Sequence, residues 1–159
     1  MRYFIGLGSN LGDREENLTR AREAISSFGM ELNNQSSCYE TEPVGPVVQP
    51  WFLNQVIEIE SETAPREMLS LLKEIENRMG RRRLIPNGPR CIDLDILLAG
   101  DTVICDEDIS IPHKELAHRK FVLVPLLEIA ADIRHPISGL TVRELMSTCR
   151  DTSLVVMLS

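Results

Sequence analysis

Aromatic side chains are scarce in this chain, which has four phenylalanines, two tyrosines and a single tryptophan among 159 residues. Modules that bind RNA on a sheet surface need exposed aromatic rings in basic surroundings. This chain instead carries a formal net charge of -7, whereas general binders of nucleic acid or anionic membranes need a basic surface. The composition disfavours both classes, and we expect no nucleic-acid partner.

Paired cysteines and long apolar runs are missing as well. The four cysteines, Cys38, Cys91, Cys105 and Cys149, lack Cys-x-x-Cys or other metal-ligand spacing, which is typical of reduced thiols in a cytosolic protein. The apolar run within residues 1–10 is shorter than a signal peptide requires, and no segment approaches membrane-spanning length. We therefore predict a cytoplasmic protein with no membrane partner.

A single domain over residues 1–159 is predicted, because the length suits one hydrophobic core and no repeat or linker is present. Apolar periodicity and turn residues indicate strands over 3–7, 30–41, 52–60 and about 92–98, with helices over 13–28 and 65–79. A short strand over 102–105, an apolar helix over 121–129 and a small C-terminal region follow. This order predicts an α+β fold of ferredoxin-like type, a βαββαβ core with helices packed on an antiparallel sheet and a C-terminal extension.

Two aspartates, Asp93 and Asp95, stand out within the apolar strand that follows residue 91. Side chains alternate along a strand, so both carboxylates point to one face, roughly 7 Å apart. Two like charges on one face repel each other unless a positive charge lies between them. Magnesium binds one or two carboxylates together with substrate phosphates, so a pair of magnesium ions would meet this need.

Arginines cluster just before this strand, at Arg81, Arg82, Arg83 and Arg90. Guanidinium groups bind phosphate oxygens in forked pairs, which indicates a substrate with several negative charges. Taken alone, an Asp-x-Asp pair is more often a solvated strand face, and an arginine run is more often surface charge. The combination within fifteen residues favours a metal-assisted phosphoryl-transfer site.

Five segments together carry a resemblance to a known family. They lie at residues 7–12, at 39–45, at 49–54, at 88–95, and at Pro112 and His113 followed by Arg119 and Phe121. In this order and spacing, the chain resembles the 6-hydroxymethyl-7,8-dihydropterin pyrophosphokinase family over nearly its whole length. The resemblance implies transfer of the terminal diphosphate of ATP to the pterin hydroxymethyl group, with release of AMP, in folate biosynthesis. ATP, a pterin and two Mg²⁺ ions are then the expected ligands of a monomer.

The same resemblance assigns residues to roles. It implies that Asp93 and Asp95 are metal ligands and that both, with Arg81 and Arg90, are catalytic. ATP is expected to bind at Glu76, Arg81, Arg83, Arg90, Ile96, His113 and Arg119. The pterin is expected to bind at Thr41, Glu42, Val44, Phe52, Asn54 and Phe121, with the two phenylalanine rings on either side of its flat bicycle.

Structural alternatives accompany several of these roles. Glu76 could equally form a surface salt bridge to an arginine, Phe121 could be a core residue, and a lone histidine is more often structural. Relatives often carry a tryptophan where this chain has Asn87, in a loop over 81–87 that we expect to close over the substrates together with 42–50.

Two other functions compete with this interpretation. One is a different magnesium-dependent nucleotidyl or phosphoryl transferase, which would leave Phe52, Asn54 and Phe121 without a ligand. The other is an RNA-binding module of the same fold, which the acidic composition disfavours. Product analysis separates the two transferases, because this reaction releases AMP and a nucleotidyl transferase releases pyrophosphate.

Overall fold

The computed structural model describes residues 1–80 and 88–158. Its strands are β1 (Arg2–Ser9), β2 (Glu31–Gln35), β3 (Tyr39–Thr41), β4 (Phe52–Glu60), β5 (Asp93–Ala99), β6 (Ile104–Cys105), β7 (Ser110–Ile111) and β8 (Val155–Met157). Its helices are α1 (Arg14–Ser27), α2 (Pro65–Arg78), α3 (Lys120–Ala130) and α4 (Val142–Thr148). Within the described ranges, no helix is long and apolar enough to cross a membrane.

Helices α1 and α2 begin and end where the sequence indicates. Asp13 caps α1 by accepting a hydrogen bond from the Glu16 N–H, at 3.1 Å, and Pro65 opens α2 at its first position. Gly29 and Gly80 follow the two helices with φ values of 82° and 78°. Glycine adopts this left-handed conformation without steric penalty, so each helix ends there.

The main sheet is antiparallel and has the strand order β5-β1-β4-β3-β8, with β2 also paired to β4. Helices α1 and α2 cover one face, where Leu18, Ile25 and Leu72 pack on Ile5 and Ile57. The opposite face packs on α3 and α4. The described chain is therefore mixed helix and sheet, with helices on both sides of one antiparallel sheet.

The prediction of one strand over residues 30–41 is wrong, because this stretch forms two strands, β2 and β3. Ser36 lies between them and is buried. Its N–H donates to the Val56 carbonyl, at 2.9 Å, while its hydroxyl accepts from the Val56 N–H, at 3.0 Å. The side chain thus takes a place that a main-chain carbonyl would hold in a regular ladder, and the strand is interrupted.

The strand predicted over 102–105 is shorter than expected, since β6 covers only Ile104–Cys105 and pairs with β7 in a separate two-stranded sheet. The C-terminal region contains more structure than the sequence indicated. Thr141 opens α4 with a reciprocal hydrogen-bond pair to Glu144, and β8 adds a strand beside β3. This last pairing lies next to the segment that carries Thr41.

Candidate active site

A glycine pair on β1 opens a cleft on the face of the sheet that α3 covers. Phe4, Gly6 and Gly8 alternate onto this face, and Phe4 is buried in its core. Gly8 pairs with Asn54 on β4 and with Asp93 on β5, and Gly6 pairs with Asp95. Because neither glycine has a side chain, a space of about 220 Å³ remains between these neighbours. We call this space the inner cleft.

One wall of the inner cleft comes from β3 and β4. Asn54 is only 9% exposed, and its Nδ2 donates to the Thr41 hydroxyl at 2.7 Å. That contact fixes which end of the amide is the donor on the Thr41 side. Phe52 lies on the same strand face, at the first residue of β4. Glu42 and Val44, from the connection after β3, also line this cleft.

The opposite wall comes from the start of α3. Phe121 and Val122 line the cleft, and Arg119 lies at the N-cap of the helix with its guanidinium 5.7 Å from the Phe121 ring centre. Phe121 is also packed against the core of this face. The core and binding interpretations of Phe121 are therefore compatible, because one side of the ring packs inward while the residue borders the cleft.

Asp93 and Asp95 lie on the same face of β5, as strand alternation predicts, and both line the inner cleft. The carboxylate of Asp93 is 3.4 Å from Nε of Arg90. Among the described residues, no group of three or more His, Cys, Asp or Glu side chains forms a metal site. A carboxylate pair matches magnesium, which takes its remaining ligands from water and substrate phosphates.

Arg90 is not a surface residue, since its side chain is only 14% exposed. Its guanidinium lies 5.0 Å from the Phe52 ring centre, and Nη1 donates to the Gly88 carbonyl at 2.9 Å. Nε is buried without a hydrogen-bond partner in the described part of the chain. Its nearest anionic neighbour among the described residues is the Asp93 carboxylate, at 3.4 Å, so the positive charge of Arg90 lies beside the carboxylate pair.

A second space, which we call the outer cleft, lies on the other side of Asp95. It measures about 360 Å³ and is lined by Asp95, Ile96, His113 and Lys114, together with Leu69 and residues 105–111. Asp95 borders both clefts. Of the two carboxylates, Asp95 therefore lines both spaces and Asp93 lines only the inner cleft.

His113 is held against the end of β5, because its N–H donates to the Leu97 carbonyl at 3.0 Å. Its Nδ1 accepts a hydrogen bond from the Glu115 N–H, at 3.1 Å, which leaves Nε2 to carry the proton of the neutral ring. Burial, and then the nearby charge of Arg119, lower the pKa of His113 below its ordinary value. At neutral pH this side chain is an uncharged donor.

Glu76 differs from the surface ion pair considered above. It is 5% exposed, and its carboxylate accepts a hydrogen bond from the Leu94 N–H at 2.9 Å. Glu76 thus supports the main chain of β5 between the two aspartates. Arg81, Arg83 and Asn87 lie outside the described residues, as does the rest of the predicted loop over 81–87.

Sequence reasoning missed the residues that make room for a ligand. No role was assigned to Gly6 from the sequence, and Gly8 entered only as part of the segment 7–12. Two glycines at i and i+2 in a strand nevertheless signal that another group approaches closely. Asn10 and Gln49 were also left without roles. Asn10 is 3% exposed and bonds to Gln49 and Arg90.

Comparison with known proteins identifies the family to which the chain is similar. The profile of the family described as 7,8-dihydro-6-hydroxymethylpterin-pyrophosphokinase (HPPK) matches residues 4–131. The 2-amino-4-hydroxy-6-hydroxymethyldihydropteridine pyrophosphokinase of Haemophilus influenzae is 42% identical over 153 residues, 96% of this chain and 95% of that protein. The protein of the same name from Bacillus subtilis is 43% identical over 131 residues, 82% of this chain and 78% of that protein.

Some relatives are much longer. The folic acid synthesis protein fol1 of Pneumocystis carinii is 41% identical over 139 residues, which are 87% of this chain but 19% of that protein. The crystal structure of wild-type Plasmodium falciparum HPPK-DHPS with pteroate superposes with a TM-score of 0.72 at 18% identity, covering 92% of this chain and 42% of that one. That likeness concerns the fold alone. On its sequence matches, the chain belongs to the 7,8-dihydro-6-hydroxymethylpterin-pyrophosphokinase family.

Proposed function

We propose that this chain transfers the diphosphate of ATP to the hydroxymethyl group of 6-hydroxymethyl-7,8-dihydropterin and releases AMP, as a step of folate biosynthesis. The observation that carries the proposal is that Asp95 lines both clefts. One cleft has aromatic and amide groups suited to a flat, polar heterocycle. The other continues past His113 and can take a nucleotide. A transfer reaction needs both ligands on either side of one charged centre.

In the inner cleft, the pterin lies between the Phe52 and Phe121 rings, since stacking requires only a ring face. Asn54 both donates and accepts, as the pterin amide edge demands. Thr41 fixes the Asn54 amide through their 2.7 Å hydrogen bond. Glu42 and Val44 border the same cleft and contribute main-chain groups to the edge of the ligand. A buried polar edge of this kind rejects analogues that cannot pair with it.

The phosphates of ATP lie along the carboxylate pair. Asp93 and Asp95 would hold two Mg²⁺ ions, which screen the charge of the triphosphate and polarise the transferring phosphoryl group when bound. Arg90, which lies beside the Asp93 carboxylate, binds a phosphate oxygen through its guanidinium, and Arg81 and Arg83 act with it. Ile96 and His113 border the nucleotide in the outer cleft. Arg119 reaches the phosphates from the start of α3.

The chemical step forms one bond and breaks another. The pterin hydroxymethyl oxygen attacks the β-phosphorus and its proton passes to solvent, while the bond from the β-phosphorus to the bridging oxygen of the α-phosphate breaks, so AMP leaves with that electron pair. Rate enhancement of such displacements rests mainly on positioning and on neutralising charge. Arg90 contributes a fixed positive charge that cannot be lost by deprotonation. Glu76 acts indirectly, by holding the Leu94 N–H between the two aspartates.

We further infer a ferredoxin-like core in a single domain over residues 1–159. The strand order β5-β1-β4 with β2 and β3 on the far side of β4 supports the ferredoxin-like class. Pairing of β8 with β3 joins the C-terminal residues to the same sheet, which supports one domain. A monomeric state and a cytoplasmic location stay predictions.

Product analysis tests the proposed reaction. The protein is incubated with ATP, magnesium and 6-hydroxymethyl-7,8-dihydropterin, and the nucleotides are separated by chromatography. We expect AMP in equal amount to the pterin diphosphate, and no AMP when the pterin is left out. Free pyrophosphate with a nucleotidyl product would favour the competing transferase, and ADP would indicate transfer of a single phosphoryl group. An Asp95→Asn variant with equal AMP release would refute the assignment of the site.

A further inference from the structure

We propose that Asn10 is a positioning residue that couples the pterin subsite to the phosphate subsite, an inference that rests on the proposed function. Asn10 follows β1 directly and is 3% exposed. It lies between the segment that leads into Phe52 and the segment that carries Arg90. Neither subsite contains its side chain, so it acts through its neighbours.

Four hydrogen bonds connect Asn10 to these two segments. Its Nδ2 donates to Oε1 of Gln49 and to the Pro50 carbonyl, both at 2.9 Å. Its Oδ1 accepts from the Arg90 N–H at 2.9 Å, and its own N–H donates to the Arg90 carbonyl at 3.1 Å. Both amide hydrogens are therefore used toward the segment before Phe52, and the amide oxygen is used toward the segment of Arg90.

The main chain around Asn10 is itself held in place from α1. Asn17 is buried, and its Nδ2 donates to the Ser9 hydroxyl at 3.1 Å and to the Leu11 carbonyl at 2.9 Å. The residues on both sides of Asn10 thus share one anchor. Because the main chain on both sides of Asn10 is held, the Asn10 side chain has a fixed position, and the segments that it binds align to it.

The two segments that Asn10 joins both line the inner cleft. Gln49 borders the cleft, and Pro50 lies two residues before Phe52, the proposed stacking ring. Arg90 lies 5.0 Å from that ring and 3.4 Å from the Asp93 carboxylate. Besides the direct contact between ring and guanidinium, the Asn10 amide therefore helps to set the distance between the stacking ring and the phosphate-binding arginine. A ligand that orders either segment favours the arrangement that the other ligand needs, which is positive coupling.

Replacement of Asn10 by aspartate discriminates this role from general support of the fold, because Asn10→Asp keeps the size of the side chain and the acceptor toward the Arg90 N–H. The change removes the two N–H donors and turns a carboxylate oxygen toward the Pro50 carbonyl, which can only accept. The Gln49→Met variant removes the hydrogen bond between Asn10 and Gln49 from the side of Gln49. Gln49 is a half-buried loop residue outside the hydrophobic core. Asn33→Asp, at an exposed position of β2, is the matched control.

The experiment measures the dissociation constant of the hydroxymethyl pterin with and without a non-hydrolysable ATP analogue and magnesium, together with kcat and the melting temperature. In the unaltered protein we expect the analogue to tighten pterin binding. Asn10→Asp and Gln49→Met should each reduce that tightening at least about tenfold and lower kcat by about 10- to 100-fold, the scale of a small misplacement of reacting groups. Because both changes break the hydrogen bond between Asn10 and Gln49, the double variant should lose less coupling than the sum of the two single losses. Asn33→Asp should leave every value unchanged.

Three results would overturn the proposal. If the two variants keep normal coupling and kcat while only the melting temperature falls, Asn10 is a structural residue. If the two changes are additive, the bond between Asn10 and Gln49 carries no coupling. If the unaltered chain forms no AMP, the proposed function fails, and this role fails with it. Should Asn10→Asp not fold, the Gln49→Met variant is used alone, and normal tightening of pterin binding by the ATP analogue in that variant overturns the proposal.

Discussion

Replacing Gly8 by alanine tests whether the absence of a side chain at Gly8 lets Asn54 keep the position that its ligand needs. A Cβ on Gly8 would lie 2.7 Å from Oδ1 of Asn54, whereas ordinary van der Waals contact begins at 3.4 Å. The amide oxygen would have to move by about 0.7 Å or more. It cannot do so freely, because the other end of the same amide is bonded to the Thr41 hydroxyl at 2.7 Å.

The size of the effect follows from the hydrogen bonds at risk. A net hydrogen bond contributes about 0.5–1.5 kcal/mol, and Asn54 offers the pterin edge a donor and an acceptor. Losing two such bonds weakens pterin binding by about 1–3 kcal/mol, or about 5- to 150-fold. Fold stability should change much less, because alanine in place of a strand glycine lowers the entropy of the unfolded chain and partly offsets the clash.

The assay is titration of the pterin, followed by titration of the ATP analogue with magnesium. Gly6→Ala is the matched control, since it lies on the same strand face but its Cβ would meet the Leu97 side chain at 3.5 Å, an ordinary contact. We expect Gly8→Ala to weaken pterin binding far more than Gly6→Ala, with little change in nucleotide affinity. Equal pterin affinity in Gly8→Ala and the unaltered protein would refute the argument that Asn54 is held for this ligand.

Three further changes probe the charged part of the site. Asp95→Asn should keep the melting temperature and slow AMP release by at least about a hundredfold, whereas Asp101→Asn, at an exposed turn, should match the unaltered protein in the same assay. Arg90→Ala should lower both turnover and melting temperature, because this largely buried side chain also packs on Phe52; an unchanged melting temperature would contradict that packing. Because burial lowers the pKa of His113 in the folded protein, the unfolded chain binds its proton more tightly, and stability should fall as pH drops below about 6.5. His113→Gln should reduce this acid loss in denaturant titrations, and an identical pH profile would count against it.

Alternation along single strands was predictable, and it groups the candidate site residues by strand face. Asp93 and Asp95 were expected on one face of their strand, and the same alternation puts Phe52 and Asn54 on one face of β4. All four line the inner cleft. The period-two pattern is a local property of the backbone, so it needs no knowledge of which strands pair. The two helices were predictable for the same reason, because their caps and apolar stripes lie within each segment.

Features that depend on pairing between distant segments were not predictable in this way. The role of Gly8 appears only when β1 lies between Asn54 and Asp93. Burial of Arg90 depends on the Phe52 ring above it. Burial of Glu76 depends on α2 packing beside β5, where its carboxylate meets a main-chain N–H. Arginine and glutamate usually lie at the surface, and only the tertiary contacts show which neighbours accompany the burial of Arg90 and Glu76.

Asp95 lets one strand, β5, contribute to both clefts of the proposed two-substrate site. The carboxylates of β5 are spaced by one strand repeat, and Asp95 borders both clefts while Asn54 borders only the inner of these two and Ile96 only the outer. The next part of the outer cleft is fixed to the same strand, because the His113 N–H binds the Leu97 carbonyl. In the proposed site, Asp95, which would serve both ligands, is thus followed directly by Ile96, which points to the other strand face and lines only the outer of the two clefts. Changes at Asn54 or Ile96 should therefore affect one ligand each, and a change at Asp95 should affect both.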